Sequence, residues 1–214
     1  MVSDKDDADA SRRETILKVA IEEFSAKGIA AVRVDEIARR AGCNKALIYY
    51  YFTNKEGLYD AVFAKLMASN REMWAQIAAT NSFSAWQQRL VDWSRRHIDD
   101  PWLRLMAMEG LSDTGVAPLE EERSRVLANT VKVVVRAQGS GEIDPELDPE
   151  MVALAFSSIA MLPRVMPQFA RMVVGMSPTQ PAFFDRLGEF LGVLGRRLAP
   201  QEQLHTRATG NEVS

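Results

Sequence analysis

The sequence predicts an all-α protein, and two observations carry that class. Nearly every segment of the 214 residues repeats its apolar side chains with helical period, and no run alternates apolar and polar residues as a half-buried strand would. Glycine- and proline-rich breakers punctuate the segments, above all GSGEIDPELDP over 139–149. At 47% hydrophobic and 26% charged, the chain can build a core and lacks the composition of a disordered polymer.

Each element follows from local chemistry. Residues 1–10 hold Asp4, Asp6, Asp7 and Asp9 against Lys5 and read as a disordered acidic tail. A helix over 11–27 places Ile16, Val19, Ala20 and Phe24 on one stripe, and Gly28 stops it. A short helix over 34–41 buries Val34, Ile37, Ala38 and Ala41 and ends at Gly42. Asn44 caps a third helix over 45–51. Thr53 with Glu56 fits a capping box and Asn54 is the alternative cap; either opens a long helix through Leu58, Val62, Leu66, Met73 and Ile77. Further helices are expected over 83–98, 101–112, 118–138, 148–174 with a break near Pro163 or Pro167, and 179–198, followed by a flexible tail over 200–214. The chain thus divides into a small three-helix unit over 11–55 and a larger helical body over 56–199.

Several function classes find no support. The start, MVSDKDDADASRR, lacks the basic-then-apolar layout of a signal peptide. The longest nearly apolar run, MVALAFSSIAML, is too short to span a bilayer. A cytoplasmic protein with no membrane partner is expected. The single Cys43, with His97 and His205, makes no metal-ligand pattern, so neither metal nor cofactor is expected. There is no Ser-His-Asp order, phosphate-binding glycine loop or spaced carboxylate pair, which argues against an enzyme.

The stretch GCNKALIYYYF over 42–52 asks for another explanation. The formal net charge is −3, yet residues 11–60 carry nine basic against seven acidic side chains. Two short helices joined through Ala41-Gly42-Cys43-Asn44 form a helix-turn-helix pattern. At 100° per residue, Ile48 and Phe52 share one side of the second helix, Lys45 and Tyr49 lie near its edge, and Ala46 and Tyr50 point away. Tyr51 lies on the flank opposite Tyr49, so the tyrosines cannot all enter a core. Phenol hydroxyls donate to phosphate oxygens, rings meet thymine methyls, and small Ala46 lets backbone approach bases. Lys45 and Lys55 add cations, and Arg12 and Arg13 either reach a phosphate or stay solvated. The alternative is that the tyrosines pack against another domain or a neighbouring molecule.

The run VRVDEIARRAGCNKALIYYYFTNKEGLYDAVF over 32–63 closely resembles the signature of the tetracycline-repressor (TetR) family of bacterial transcription regulators. Ile37-Ala38, Ala41-Gly42, Tyr49, Phe52, Lys55 and Leu58 match it in order and spacing, over about the first third of the chain. The resemblance implies that Tyr49 and Lys55 grip the phosphate backbone and that Lys45, Ala46, Tyr50 and Tyr51 face double-stranded DNA, with Asn44 at the start of the reading helix. There are departures. Val32-Arg33 stands where a Thr or Ser usually caps the second helix, although Arg33 can still reach a phosphate. Cys43 replaces a common Val and reads as a small buried hydrophobe, and Tyr51 stands where His or another polar residue is common.

The resemblance also implies a helical ligand-binding and dimerisation domain, whose last two helices pair with those of a second subunit. The last helix here, AFFDRLGEFLGVLGRRLA, has an apolar stripe interrupted by glycines. Phe183, Leu187, Gly188, Leu191, Gly192, Leu194 and Gly195 are the candidates for a homodimer contact; the alternative is that the glycines pack inside one subunit. Trp93, Met106, Phe156 and Met161 are candidate walls of an effector pocket, in a middle rich in Met and aromatic residues. His97, expected as a cap or surface residue, and Glu109 and Arg164, expected to be solvated, are its polar candidates. The function expected is a dimeric repressor on a palindromic operator, released by a small apolar effector. The alternative is a DNA-binding interaction or architectural protein whose body binds a protein partner.

Overall fold

The computed structural model describes residues 4–96, 100–112 and 117–200, and among them every regular element is a helix. In chain order these are α1 (Asp4–Ala31), α2 (Val34–Arg40), α3 (Lys45–Phe52), α4 (Lys55–Ser69), α5 (Arg71–Ala78), α6 (Phe83–Arg96), α7 (Pro101–Gly110), α8 (Glu120–Gly139), α9 (Pro149–Val165), α10 (Pro167–Val174) and α11 (Pro181–Arg197). They pack as two compact units. The first comprises residues up to Arg71 together with Asp100–Glu122; the second comprises the rest. Packing therefore groups α4 and α7 with the helix-turn-helix, although the sequence suggests a boundary at residue 55.

In the first unit α1 packs against α2, α4 and α7. Its stripe of Ile16, Leu17, Ala20 and Phe24 is buried, as are Ile37 of α2, Ile48 and Phe52 of α3, and Leu58, Val62 and Phe63 of α4. Edge-to-face rings link three of these helices: Phe24 to Tyr59 at 5.0 Å, Tyr59 to Phe63 at 5.1 Å, and Phe63 to Trp102 at 5.6 Å. Such pairs contribute roughly 0.5–1.5 kcal/mol each beyond area burial. The ladder fixes α4, and with it the tight turn that holds α3.

Several expectations about the ends of elements are corrected. The acidic stretch is helical from Asp4, whereas Gly28 interrupts the helix where the sequence expects a stop: its φ of 72° and ψ of 165° are non-helical, and a short helical turn beyond it runs on to Ala31. Acidic side chains at a helix N-terminus are favoured by the positive end of the helix dipole, and Ala8 and Ala10 are good helix formers. The long helix expected from Asn54 to Ile77 breaks at Asn70, where the side-chain amide donates to the Leu66 carbonyl at 3.0 Å. An Asn that bonds backward in this way competes with helix continuation. Asn54 caps α4 by accepting from the Gly57 amide at 2.7 Å, while Thr53 takes a positive φ of 67°. The break in the 148–174 segment falls at Met166: Pro163 stays inside α9 and Pro167 opens α10.

The second unit is built on α6, which packs against both α9 and α11. Phe83, Trp86 and Phe156 form an aromatic centre, with Phe83 and Phe156 rings 4.9 Å apart. Arg164 is a further correction. It is not solvated. Its guanidinium donates to the Arg95 carbonyl at 3.2 Å and the Pro178 carbonyl at 3.1 Å, bonds the Ser94 carbonyl, and lies 4.3 Å from the centre of the Phe184 ring. It thereby caps the C-terminus of α6, where carbonyls lack helical partners. The Ser94 hydroxyl donates to the Ala160 carbonyl at 2.8 Å, beside the interruption that Pro163 makes in α9. His97, His205 and the tail over 201–214 lie outside the described residues.

Candidate nucleic-acid interface

The turn between α2 and α3 is closed by backbone bonds. The Ala41 amide donates to Ile37 at 2.8 Å and the Cys43 amide to Ala38 at 3.0 Å. Gly42 sits between them at φ 66°, a left-handed conformation that costs glycine little and other residues more. The Asn44 side chain then accepts from the Leu47 amide at 2.8 Å and starts α3. Arg33 stands at the N-cap of α2 without a side-chain cap bond; its carbonyl accepts from Glu36 and Ile37 instead. Its own side chain is exposed.

On α3 the wheel reading holds in space. Ile48 and Phe52 are buried, Tyr50 is 76% exposed and Tyr49 39%, and Ala46 and Lys45 are exposed. The Lys45 ammonium lies 3.1 Å from Asp35 Oδ2 and 5.8 Å from the centre of the Tyr49 ring. The hydrogen bond it donates to Asp35 raises the Lys45 pKa, so the side chain remains charged. Tyr51 is half-buried, and its hydroxyl donates to Asp9 Oδ1 at 3.1 Å. Burial first, and then this bond, raise the pKa of its phenol. Arg13 lies 5.1 Å from the centre of the Phe52 ring. Lys55 is half-buried at the start of α4 and donates to the Ala30 carbonyl at 3.5 Å, a weak bond that is easily exchanged for a phosphate.

The pairing of charges was not visible in the sequence. Arg40 bonds both Glu22 and Glu23, Lys27 bonds Glu23 at 2.6 Å, and Arg39 holds Glu36 with two hydrogen bonds. Of these, only the Arg40 contacts tie α2 to α1, and Lys45, Lys55, Arg33 and the tyrosines stand as the distinctive chemistry of the face. Asp9 and Asp35, which hold Tyr51 and Lys45, were likewise missed, since 42 residues separate Asp9 from Tyr51 and no periodicity connects them. Cys43 is half-buried rather than buried, and burial raises its thiol pKa. A raised pKa makes a thiol less reactive.

The other candidate residues separate. Trp93 and Phe156 are buried in the second unit and Met161 is half-buried there, whereas Met106 is half-buried on α7 in the first unit, as is Glu109. The second unit carries open hollows of about 770 and 390 Å³ along α6 and α11, and none of the four pocket candidates lines either. On α11, Phe183, Leu191 and Gly195 are buried within the chain, and Leu187 and Leu194 pack against the same core. A Cβ on Gly188 would touch Val91 at 3.6 Å, so this glycine too faces α6. On Gly192 it would meet only Arg196 of the same helix, at 3.5 Å. The outward apolar residues of α11 are instead Phe190 and Val193, and those of α9 are Met151, Leu154, Leu162 and Val165.

Known proteins share this arrangement. Residues 16–62 match the family model described as bacterial regulatory proteins, tetR family, and residues 83–182 match that of the tetracyclin repressor-like C-terminal domain. The chain is 32% identical to the HTH-type transcriptional repressor SCO4008 of Streptomyces coelicolor, over 75% of this chain and 82% of that protein. It is 28% identical to the HTH-type transcriptional regulator RutR of Escherichia coli, over 84% and 86% of the two chains. The crystal structure of SCO4942 from Streptomyces coelicolor superposes with a TM-score of 0.67 at 26% identity, covering 85% of this chain and 97% of that one. That of a gamma-butyrolactone receptor (ArpA-like protein), at 20% identity and a TM-score of 0.60 over 89% and 97% of the two chains, shows the same fold. Among the described residues, no single helix is long and apolar enough to cross a membrane. With its N-terminal helix-turn-helix, its helical second part and matches over both, the chain belongs to the tetR family of bacterial regulatory proteins, which are DNA-binding transcriptional regulators.

Proposed function

We propose that this regulator is a cytoplasmic repressor that binds a palindromic double-stranded operator as a homodimer and leaves it when a small, mostly apolar effector binds. The observation that carries the reading is the face of α3: Tyr50 and Tyr49 stand exposed beside Lys45 and Ala46, on a helix anchored from behind by Ile48 and Phe52. Large hydroxyl-tipped rings with a cation at the helix start suit a groove walled by phosphates. Tyr49 and Lys55 serve the backbone; Lys45, Ala46, Tyr50 and Tyr51 face the groove; Asn44 and Arg33 flank it. The repressor SCO4008, the relative with 32% identity, supports the repressing sense.

Dimerisation is assigned to the outward faces of α9 and α11. Met151, Leu154 and Phe190 are each more than half exposed, although a single chain would place fewer large apolar residues in water. A two-fold dimer would set its reading helices about 34 Å apart, matching half-sites one helical turn apart. Trp93 and Met161 remain the better effector contacts in the second unit, because Phe156 is already packed between Phe83 and Trp86.

Footprinting the purified protein on DNA upstream of its own gene tests the reading. Two protected half-sites related by a dyad are expected. Uniform, sequence-independent protection would contradict an operator-specific regulator.

A further inference from the structure

The start of α1 lies against the reading helix, and its contact there is acidic. Tyr51 has one hydroxyl proton and gives it to Asp9 at 3.1 Å. That donor cannot serve a phosphate oxygen at the same time. The carboxylate also occupies, for the hydroxyl, the chemical place of a phosphate: an anionic oxygen accepting from a phenol. Asp7 is exposed two residues before it, and Asp4 and Asp6 precede that on the same helix. Lys45, the cation of the same face, is held by another carboxylate, that of Asp35.

We propose that Asp9 is a positioning residue that sets an affinity threshold for DNA: it latches Tyr51 in the DNA-free protein, and the exposed Asp7 beside it repels phosphate, so that only a duplex with favourable contacts along the rest of α3 displaces the latch. The proposal rests on the reading that Tyr51 faces DNA. A latch of this kind weakens binding to every duplex by a similar factor. Non-specific complexes, held mostly by phosphate, thereby fall below useful affinity, and the operator complex keeps a margin from its base contacts. Helical acids at an N-terminus also stabilise the helix itself, so the test must read more than stability.

The test is a double-mutant cycle of Asp9→Ala and Tyr51→Phe. Affinity is measured by fluorescence anisotropy for a random-sequence duplex and for the duplex upstream of the protein's own gene, at several salt concentrations. Asp9→Ala is expected to tighten binding to the random duplex by roughly three- to tenfold near 0.05 M salt, with a smaller gain near 0.3 M as screening shortens the reach of the lost charge. Tyr51→Phe is expected to cost more affinity in the Asp9→Ala background than in wild type, because only there is the hydroxyl free for DNA. Asp9→Asn, which keeps an acceptor and drops the charge, should recover the salt-dependent part of the gain with less of the coupling. Additive effects of the two substitutions would overturn the latch and leave Asp9 as background charge. Unchanged or weaker binding by folded Asp9→Ala and Asp9→Asn proteins would also overturn it. A wild type that binds neither duplex would remove the DNA-binding reading and the latch together.

Discussion

Gln87 reaches the Leu191 carbonyl at 2.9 Å because position 195 has no Cβ: a methyl there would lie 2.4 Å from the Gln87 amide nitrogen. A buried polar side chain on α6 is thus satisfied by the backbone of α11 through a gap that only glycine leaves. Gly195→Ala is expected to lose about 1–3 kcal/mol of stability. Overpacking costs roughly 1–3 kcal/mol and the lost bond about 1, against a helix-propensity gain of up to about 1. Chemical denaturation checks it, and adding Gln87→Ala to the variant should recover part of the loss.

Gly192 provides the contrast. Its missing Cβ faces open space on its own chain apart from Arg196. Gly192→Ala should therefore be neutral or stabilise the subunit by up to about 1 kcal/mol. If α11 meets a second copy there, Gly192→Leu should shift the sedimentation profile toward monomer while the helical content stays unchanged.

Arg164→Met should lower stability by about 2–3 kcal/mol, since it strips three backbone carbonyls of a charged donor and removes a cation–π contact. Arg164→Lys should restore little of it, because an ammonium cannot reproduce the planar fork that spans Ser94, Arg95 and Pro178. Thermal melting of the three proteins distinguishes these outcomes.

Glu23 is held below the usual glutamate value of 4.5, first by its hydrogen bond from Lys27 and then by that from Arg40, which together outweigh burial. A carboxyl depressed in the folded state stabilises above its unfolded pKa, and that stabilisation is lost as pH falls through the folded value. Glu23→Gln is therefore expected to lose about 1–2 kcal/mol at neutral pH and to converge with wild type as pH falls from the unfolded value of 4.5 through the lower folded one. Denaturation midpoints from pH 3 to 7 would show it.

The reading helix was legible in the sequence because its chemistry is local: Asn44 capping, Ile48 and Phe52 on one side, and Tyr50 opposite follow from spacing alone. Contacts between distant segments were not legible. Arg164 looked like a surface arginine because nothing near it in sequence reveals the carbonyls of Ser94 and Pro178. The glycines of α11 mark places where another helix could approach, but Gly188 and Gly195 face α6 of the same chain and Gly192 faces open space apart from Arg196, directions that helical period cannot specify. The acidic start of α1 was misread because composition outweighed the dipole and the two alanines. Asn70 broke a helix whose apolar period runs on without interruption.

The central claim is that the helix-turn-helix face binds DNA through its phosphates, and the salt dependence of binding tests it most directly. Lys55 makes one weak bond, to Ala30, and Tyr49 is 39% exposed, so Lys55→Ala and Tyr49→Phe should leave the fold intact. Affinity for the footprinted duplex should fall in both variants. In Lys55→Ala the slope of log affinity against log salt should be shallower by about one unit, while in Tyr49→Phe it stays near wild type because a neutral donor releases no counterion. Equal affinity and equal slope in wild type and both variants would contradict the claim.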